Sequence, residues 1–191
     1  RDVHFSIGNY FNEIAQSFGI NGLKLIESAN YKYARSQIAM PGFVGGPCLE
    51  KDPHILTHNL KNSKGKDFIL NARKYNESLE DSVVNWIVKV TTKLKINRVG
   101  ITGLAFKGKP DTSDLRGSNG VSIFRKLNNM GFKLVLHDFI VSKDELSSVG
   151  ESYSNIYEMT KELSLLIILN NNKRYSVLDL KKIETVMKKP K

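Results

Sequence analysis

The chain has one thiol, Cys48, and it follows a glycine-rich run, Gly42-Phe43-Val44-Gly45-Gly46-Pro47. Glycines let a backbone come close to a ligand and turn its amides toward it. A thiol just after such a loop, near a helix start, sits in a field that favours thiolate, and Lys51 pushes the same way. Asp52 lies four residues on, so one helical turn brings a carboxylate near the sulfur as a candidate base. The competing reading is a buried, inert cysteine, which is the commoner fate of a lone thiol. Local context leaves both readings open. A metal site is not expected: there is no second cysteine, and His54 and His58, four apart, lack a third ligand at suitable spacing.

A second segment could also take a ligand. Gly100-Ile-Thr-Gly103-Leu-Ala-Phe106-Lys107-Gly108-Lys109-Pro110-Asp111-Thr-Ser-Asp114-Leu-Arg116-Gly-Ser118 follows an expected strand and precedes an expected helix. Ligands of doubly wound folds bind at that position. Lys107, Lys109 and Arg116 beside glycines point to phosphate recognition, against the alternative of a plain charged loop. The dinucleotide fingerprint GxGxxG is absent. Asp138 closes the next strand, where a ribose-binding acid would sit; without the fingerprint it reads as structural.

The elements that must carry these loops change character along the chain. Val3, Ile7, Phe11, Ile14 and Phe18 recur at helical spacing until Gly19. A short helix is expected over Gly22–Asn30 and another from Asp52-Pro53. A long helix is expected from Lys66 to Leu94, with a stripe of Leu79, Val83, Val84, Ile87, Val90 and Leu94. Its length is that of a connector or association surface, or of a plain core helix. From Asn97 strands and helices alternate: strands at Arg98, at Phe132–Leu136 and at Leu165–Leu169, helices over Gly120–Asn129, Ile156–Leu163 and Leu178–Met187. That alternation predicts an α/β fold with a Rossmann-like, doubly wound parallel sheet after a helical region. The expected division is 1–94, helical, and 95–191, α/β.

Composition bounds the partners. The chain has 191 residues and a net charge of +10, from 29 Lys and Arg against 19 Asp and Glu. Such a balance favours anionic partners, although most of the lysines are scattered, with a cluster at Lys181, Lys182, Lys188, Lys189 and Lys191. A basic nucleic-acid-binding protein is the second functional reading, but no aromatic RNA-binding signature, helix-turn-helix pattern or zinc spacing supports it. A non-catalytic oligomerisation module is the third. One cysteine fits a reducing compartment, hence a cytoplasmic location. The most apolar run, Leu163–Leu169, is too short to span a bilayer, so no membrane partner is expected. The opening residues do not read as a secretory signal. Arg1 falls within a helical pattern and the end falls where another strand is expected, so the chain reads as a fragment.

The two loops together resemble the UDP-glucose/GDP-mannose dehydrogenase family. Its thiol loop, GxGGxCxxxD, appears here as GFVGGPCLEKD. Its C-terminal domain opens with GLAFKxxTxDxRxS, here GLAFKGKPDTSDLRGS, two residues longer around Gly108–Pro110. RDVHFSIGNYFNEIA, ANYKYARSQIAMPG and ARKYNESL are similar to the family's central helix, the lead into its thiol loop and its connector helix. The resemblance implies oxidation of the C6 alcohol of a UDP-sugar to a carboxylate in two NAD-dependent steps. It makes Cys48 the nucleophile, through a thiohemiacetal and thioester, with Asp52 assisting proton transfer. Gly42, Phe43, Gly45 and Gly46 would shape the sugar site, and Arg35 would reach the sugar of a neighbouring subunit. Phe106 and Lys107 would meet the nucleotide, supported by Arg116. A homodimer through the central helices is implied. NAD would be bound by a domain not present in this chain, which alone should not turn over. Asp52-Pro53 resembles the branch acting on N-acetylated hexosamines more than the glucose branch.

Overall fold

The computed structural model describes residues 1–35, 37–61, 63–96 and 98–188. They form two compact units, Arg1–Leu79 and Glu80–Lys191. Lys189 and Lys191 of the expected basic tail lie outside the described residues.

The first unit is helical. It contains α1 (Asp2–Ser17), α2 (Gly22–Asn30), α3 (Asp52–His58) and the first part of α4 (Lys64–Lys93). Asn21 starts α2 by accepting from the Lys24 N–H, the capping bond that Asn supplies well. The helical period of α1 is as expected, and most of its apolar stripe does not face the interior of the unit. Ile7, Phe11 and Phe18 are exposed, while Asp2, Ser6, Asn9 and Ala15 are buried. The reason lies in what α1 packs on: the inward side chains bond to α4 and to the segment before the thiol loop. Gly8 permits that approach, since a Cβ there would stand 2.0 Å from the Ala39 carbonyl oxygen.

The second unit is α/β. Strands β1 (Arg98–Thr102), β2 (Lys133–His137) and β3 (Leu165–Ile168) form a parallel sheet in the order β2-β1-β3. Arg98 registers with Lys133, and Val99 with Leu165. Helices α5 (Asn119–Asn129), α6 (Lys143–Ser147), α7 (Ile156–Thr160), α8 (Lys173–Ser176) and α9 (Leu180–Val186) complete it. Val99, Ile101, Ile123, Leu127, Leu136, Met159 and Leu163 are buried in its core. The outer edge of β2 is covered: the Leu136 N–H donates to Glu151 O and the Tyr153 N–H to Leu136 O, which removes an open strand edge.

The units divide within α4, ahead of the expected boundary at residue 94. The latter part of α4 belongs to the α/β unit by its bonds. Asn119 and Ser122 of α5 donate to Glu80, and Lys126 pairs with Glu80 and Asp81.

Candidate active site

Cys48 is exposed. It sits in a turn that leads into α3. The Cys48 carbonyl accepts from the N–H groups of Lys51 and Asp52 at 3.2 and 2.9 Å, and the Glu50 N–H donates to Gly46 O. The thiol and Asp52 are therefore one helical turn apart, as their spacing requires. The Asp52 carboxylate bonds to Lys51 Nζ at 2.8 Å. That hydrogen bond, and then the charge behind it, raise the Lys51 pKa above its ordinary value. Both side chains are exposed, so the pair contributes little to stability. It does place an ammonium beside the turn that presents the sulfur.

The loop is held from beneath by residues that periodicity did not single out. Arg73 of α4 is buried, and its guanidinium donates to Val44 O at 2.9 Å and Leu49 O at 3.3 Å, one carbonyl on each side of Cys48. It also pairs with Asp2 at 3.3 Å, both side chains almost fully covered. Asn76, one turn along α4, donates to the Asp2 backbone carbonyl and accepts from Asn9. Asn9 in turn accepts from the Gly42 N–H at 2.7 Å. The Gly42 amide is thus used to anchor the loop. The signal was available in ARKYNESL, where Arg73 and Asn76 stand three apart, on one face of a helix.

The other expected residues of this loop are placed as follows. Phe43 and Gly45 are half-buried, Gly46 is buried with φ +98°, and Gly42 is exposed. Arg35 is exposed in the loop after α2. That loop is closed by Asn30, whose side chain both donates to Ile38 O and accepts from the Ile38 N–H, each at 2.8 Å. His54 and His58 lie exposed on α3. Among the described residues no group of three His, Cys, Asp or Glu side chains stands ready for a metal ion.

In the second unit the 103–118 segment leaves the C-terminal end of β1. Phe106 and Lys107 are half-buried, between buried residues 103–105 and 108. Lys107 Nζ lies 5.2 Å from the Phe106 ring centre. The Phe106 N–H donates to Asp114 O. Arg116 grips the Asp114 carboxylate through Nε and Nη2. Those bonds, with the Arg116 backbone N–H, hold Asp114 down at about 2. Arg116 therefore braces the loop through Asp114. Ser118 caps α5 by accepting from the Gly120 and Val121 N–H groups, and it donates to Leu104 O. Asp138, at the end of β2, accepts from the N–H groups of Leu104, Ala105, Ile140 and Val141. These two residues occupy the positions where a dinucleotide fold keeps its helix amides and its ribose acid. Both are fully engaged within the chain.

The chain thus presents an exposed sulfur in the first unit and, in the second, an aromatic-basic tip on the segment leaving a parallel strand. Comparison with known proteins identifies the family. Residues 1–78 match the central domain of the UDP-glucose/GDP-mannose dehydrogenase family and residues 100–191 match its UDP binding domain. The chain belongs to that family. It is 32% identical over 158 residues, 79% of its own length and 37% of the relative's, to the UDP-N-acetyl-D-mannosamine dehydrogenase of Pyrococcus horikoshii. It is 30% identical over 150 residues, 76% of its length and 35% of the relative's, to the UDP-N-acetyl-D-glucosamine 6-dehydrogenase of Pseudomonas aeruginosa. In structure it is similar to the UDP-D-ManNAc dehydrogenase of P. horikoshii, with a TM-score of 0.85 at 27% identity, covering 99% of this chain and 43% of that one. The Staphylococcus aureus UDP-N-acetyl-mannosamine dehydrogenase gives a TM-score of 0.79 at 29% identity, covering 96% of this chain and 42% of that one. The chain spans about two-fifths of the length of these relatives.

Proposed function

We propose that this chain carries the reactive thiol and the nucleotide loop of a nucleotide-sugar dehydrogenase. The reaction is oxidation of the C6 alcohol of a UDP-sugar to a carboxylate, a four-electron change with NAD as acceptor in two steps. The observation that carries the reading is the exposed Cys48 on a loop whose flanking carbonyls are pinned by buried Arg73. A sulfur held in place approaches a carbonyl carbon with little further ordering, which is what covalent capture needs.

The roles follow from chemistry. At the aldehyde stage Cys48 Sγ bonds to C6, the C=O π pair moves to oxygen, and the thiol proton ends on that oxygen. The product is a thiohemiacetal. Asp52 takes and returns protons at the oxygen on this carbon, exchanging its contact with Lys51 as it does so. Gly42, Phe43, Gly45 and Gly46 shape the sugar's surroundings, and Arg35 serves the sugar of a second copy. Phe106 and Lys107 take the base and diphosphate, braced by Arg116. The sheet of the second unit does not fit NAD, because Ser118 and Asp138 are already spent on internal bonds; the cofactor is assigned to the reaction and not to these residues.

The Asp52-Pro53 pair and the relatives' substrates favour an N-acetylated hexosamine as the sugar. A homodimer covering the exposed α1 stripe, and a cytoplasmic location, complete the reading. No described helix is long and apolar enough to cross a membrane.

Ligand that binds only the folded state raises its stability. At a hundred times Kd the gain is about 2.7 kcal/mol, which for a chain of this size lifts Tm by roughly 5–10 °C. UDP-N-acetylhexosamine should produce that rise in a thermal melt of the chain. No shift at saturating UDP-sugar would remove the proposal.

A further inference from the structure

We infer that Asp138 and Asn172 are positioning residues for the nucleotide loop: from the end of β2 and from the N-cap of α8 they fix the backbone on either side of Phe106 and Lys107. The inference rests on the reading of that loop as the UDP site.

The loop has a presenting tip and two anchors. The tip is Phe106-Lys107, half-buried, with buried residues before and after it. The anchor before the tip is Leu104-Ala105. Asp138 Oδ2 accepts from both of their N–H groups, at 2.7 and 3.3 Å. Its Oδ1 accepts from the N–H groups of Ile140 and Val141, at 2.8 and 3.2 Å. One carboxylate, 9% exposed, thereby ties the chain leaving β1 to the chain leaving β2. A carboxylate with both oxygens accepting backbone amides is fixed in place and can fix its donors in turn.

The anchor after the tip is Gly108. Asn172, 3% exposed, donates from Nδ2 to Gly108 O at 3.4 Å and to Asp111 Oδ1 at 3.1 Å. Its Oδ1 accepts from the Arg174 N–H at 3.0 Å, which orients the amide and starts α8. The packing is as close as the bonding. A Cβ on Gly108 would stand 2.2 Å from the Asn172 nitrogen and 2.7 Å from the Asn171 carbonyl carbon. Asn170, two residues earlier, reaches Ala105 O at 3.4 Å. The lengthened stretch Gly108–Pro110 thus begins at the residue that the N-cap of α8 grips. With both anchors set, the tip meets its ligand already ordered, and the ordering cost falls on folding and not on binding.

The test measures UDP affinity for the 191-residue chain by titration calorimetry, at a temperature where circular dichroism shows each variant folded. Asp138→Asn keeps size but turns amide hydrogens toward backbone N–H donors. Asn172→Ala removes the grip on Gly108 and Asp111. Each is expected to weaken UDP binding tenfold or more, and Asn172→Gln, which keeps the donor, is expected to recover part of the loss. A merely structural role lowers Tm and leaves the affinity of the folded protein unchanged; wild-type affinity in both variants overturns the inference. Should Asp138→Asn not fold, the Asn172 pair decides it alone. A wild-type chain that does not bind UDP overturns the loop reading itself, and the inference with it.

Discussion

The two units are built on opposite terms. Glu80–Lys191 buries aliphatic side chains between a parallel sheet and its helices, and keeps its polar clamps at the strand ends. Arg1–Leu79 buries an ion pair and two asparagines, Asp2, Arg73, Asn76 and Asn9, and turns Ile7, Tyr10 and Phe11 outward. Apolar cores supply stability without direction. Buried polar networks cost desolvation and return a single arrangement when every member is satisfied. The contrast follows the work each unit is proposed to do. One must hold a short loop so that a sulfur points outward; the other must hold a sheet from whose ends a ligand loop extends.

The sharpest way to break this contrast is Arg73→Met. It leaves Asp2 buried without its cation, which costs about 3–5 kcal/mol. Trp86, the one tryptophan, lies in the second unit. Helix content followed by circular dichroism should therefore fall earlier than in the wild type, while the Trp86 fluorescence transition stays in place. A Trp86 transition displaced equally would mean the two units share one core.

The next effect belongs to the second unit. His137 is buried at the end of β2, with Nδ1 3.0 Å from Thr102 Oγ1, which lies 2.7 Å from the Tyr175 hydroxyl. Burial lowers its pKa to about 4, against an opposing pull from Asp138. The folded value is below the unfolded value of about 6.5, so the unfolded chain takes up this proton first as pH falls. The stability held above pH 6.5 is lost progressively toward pH 4, on the order of 3 kcal/mol in full. The Trp86 transition should weaken across that window, and the His137 ring should titrate near 4 by NMR. A ring titrating near 6.5 would contradict the burial.

The smallest effect on stability is expected at the exposed stripe. Phe11→Lys should change the stability of the chain by no more than about 0.5 kcal/mol, as surface substitutions do. It should nevertheless abolish self-association measured by sedimentation, because a charge on the stripe cannot be buried against its copy. A dimer that survives Phe11→Lys would remove the proposed interface.

The same contrast explains what could be read from the sequence. In the second unit the apolar pattern faces the core, so periodicity located β1, α5, β2 and β3 to within a residue or two. It missed α6, although Ser142 and Glu145 form a capping box that the spacing Ser-x-x-Glu announces. It also missed α8, whose four residues are too few to show a period. In the first unit periodicity found α1 but not its inner face, because the residues turned inward, Asp2, Ser6 and Asn9, are polar and carry no hydrophobic period. The thiol loop was legible from Cys48, its glycines and Asp52. Its supports were not: Arg73 acts on it from 24 and 29 residues away in sequence, and Asn9 from 33.

The proposed covalent capture is addition of Cys48 to carbon 6 of a UDP-sugar. Carbon-13 NMR of a C6-labelled UDP-sugar aldehyde, mixed with the chain, tests it directly. A new saturated-carbon resonance for C6 should appear with the wild type and be missing with Cys48→Ala. The same spectrum from both proteins, with UDP binding intact, would contradict it.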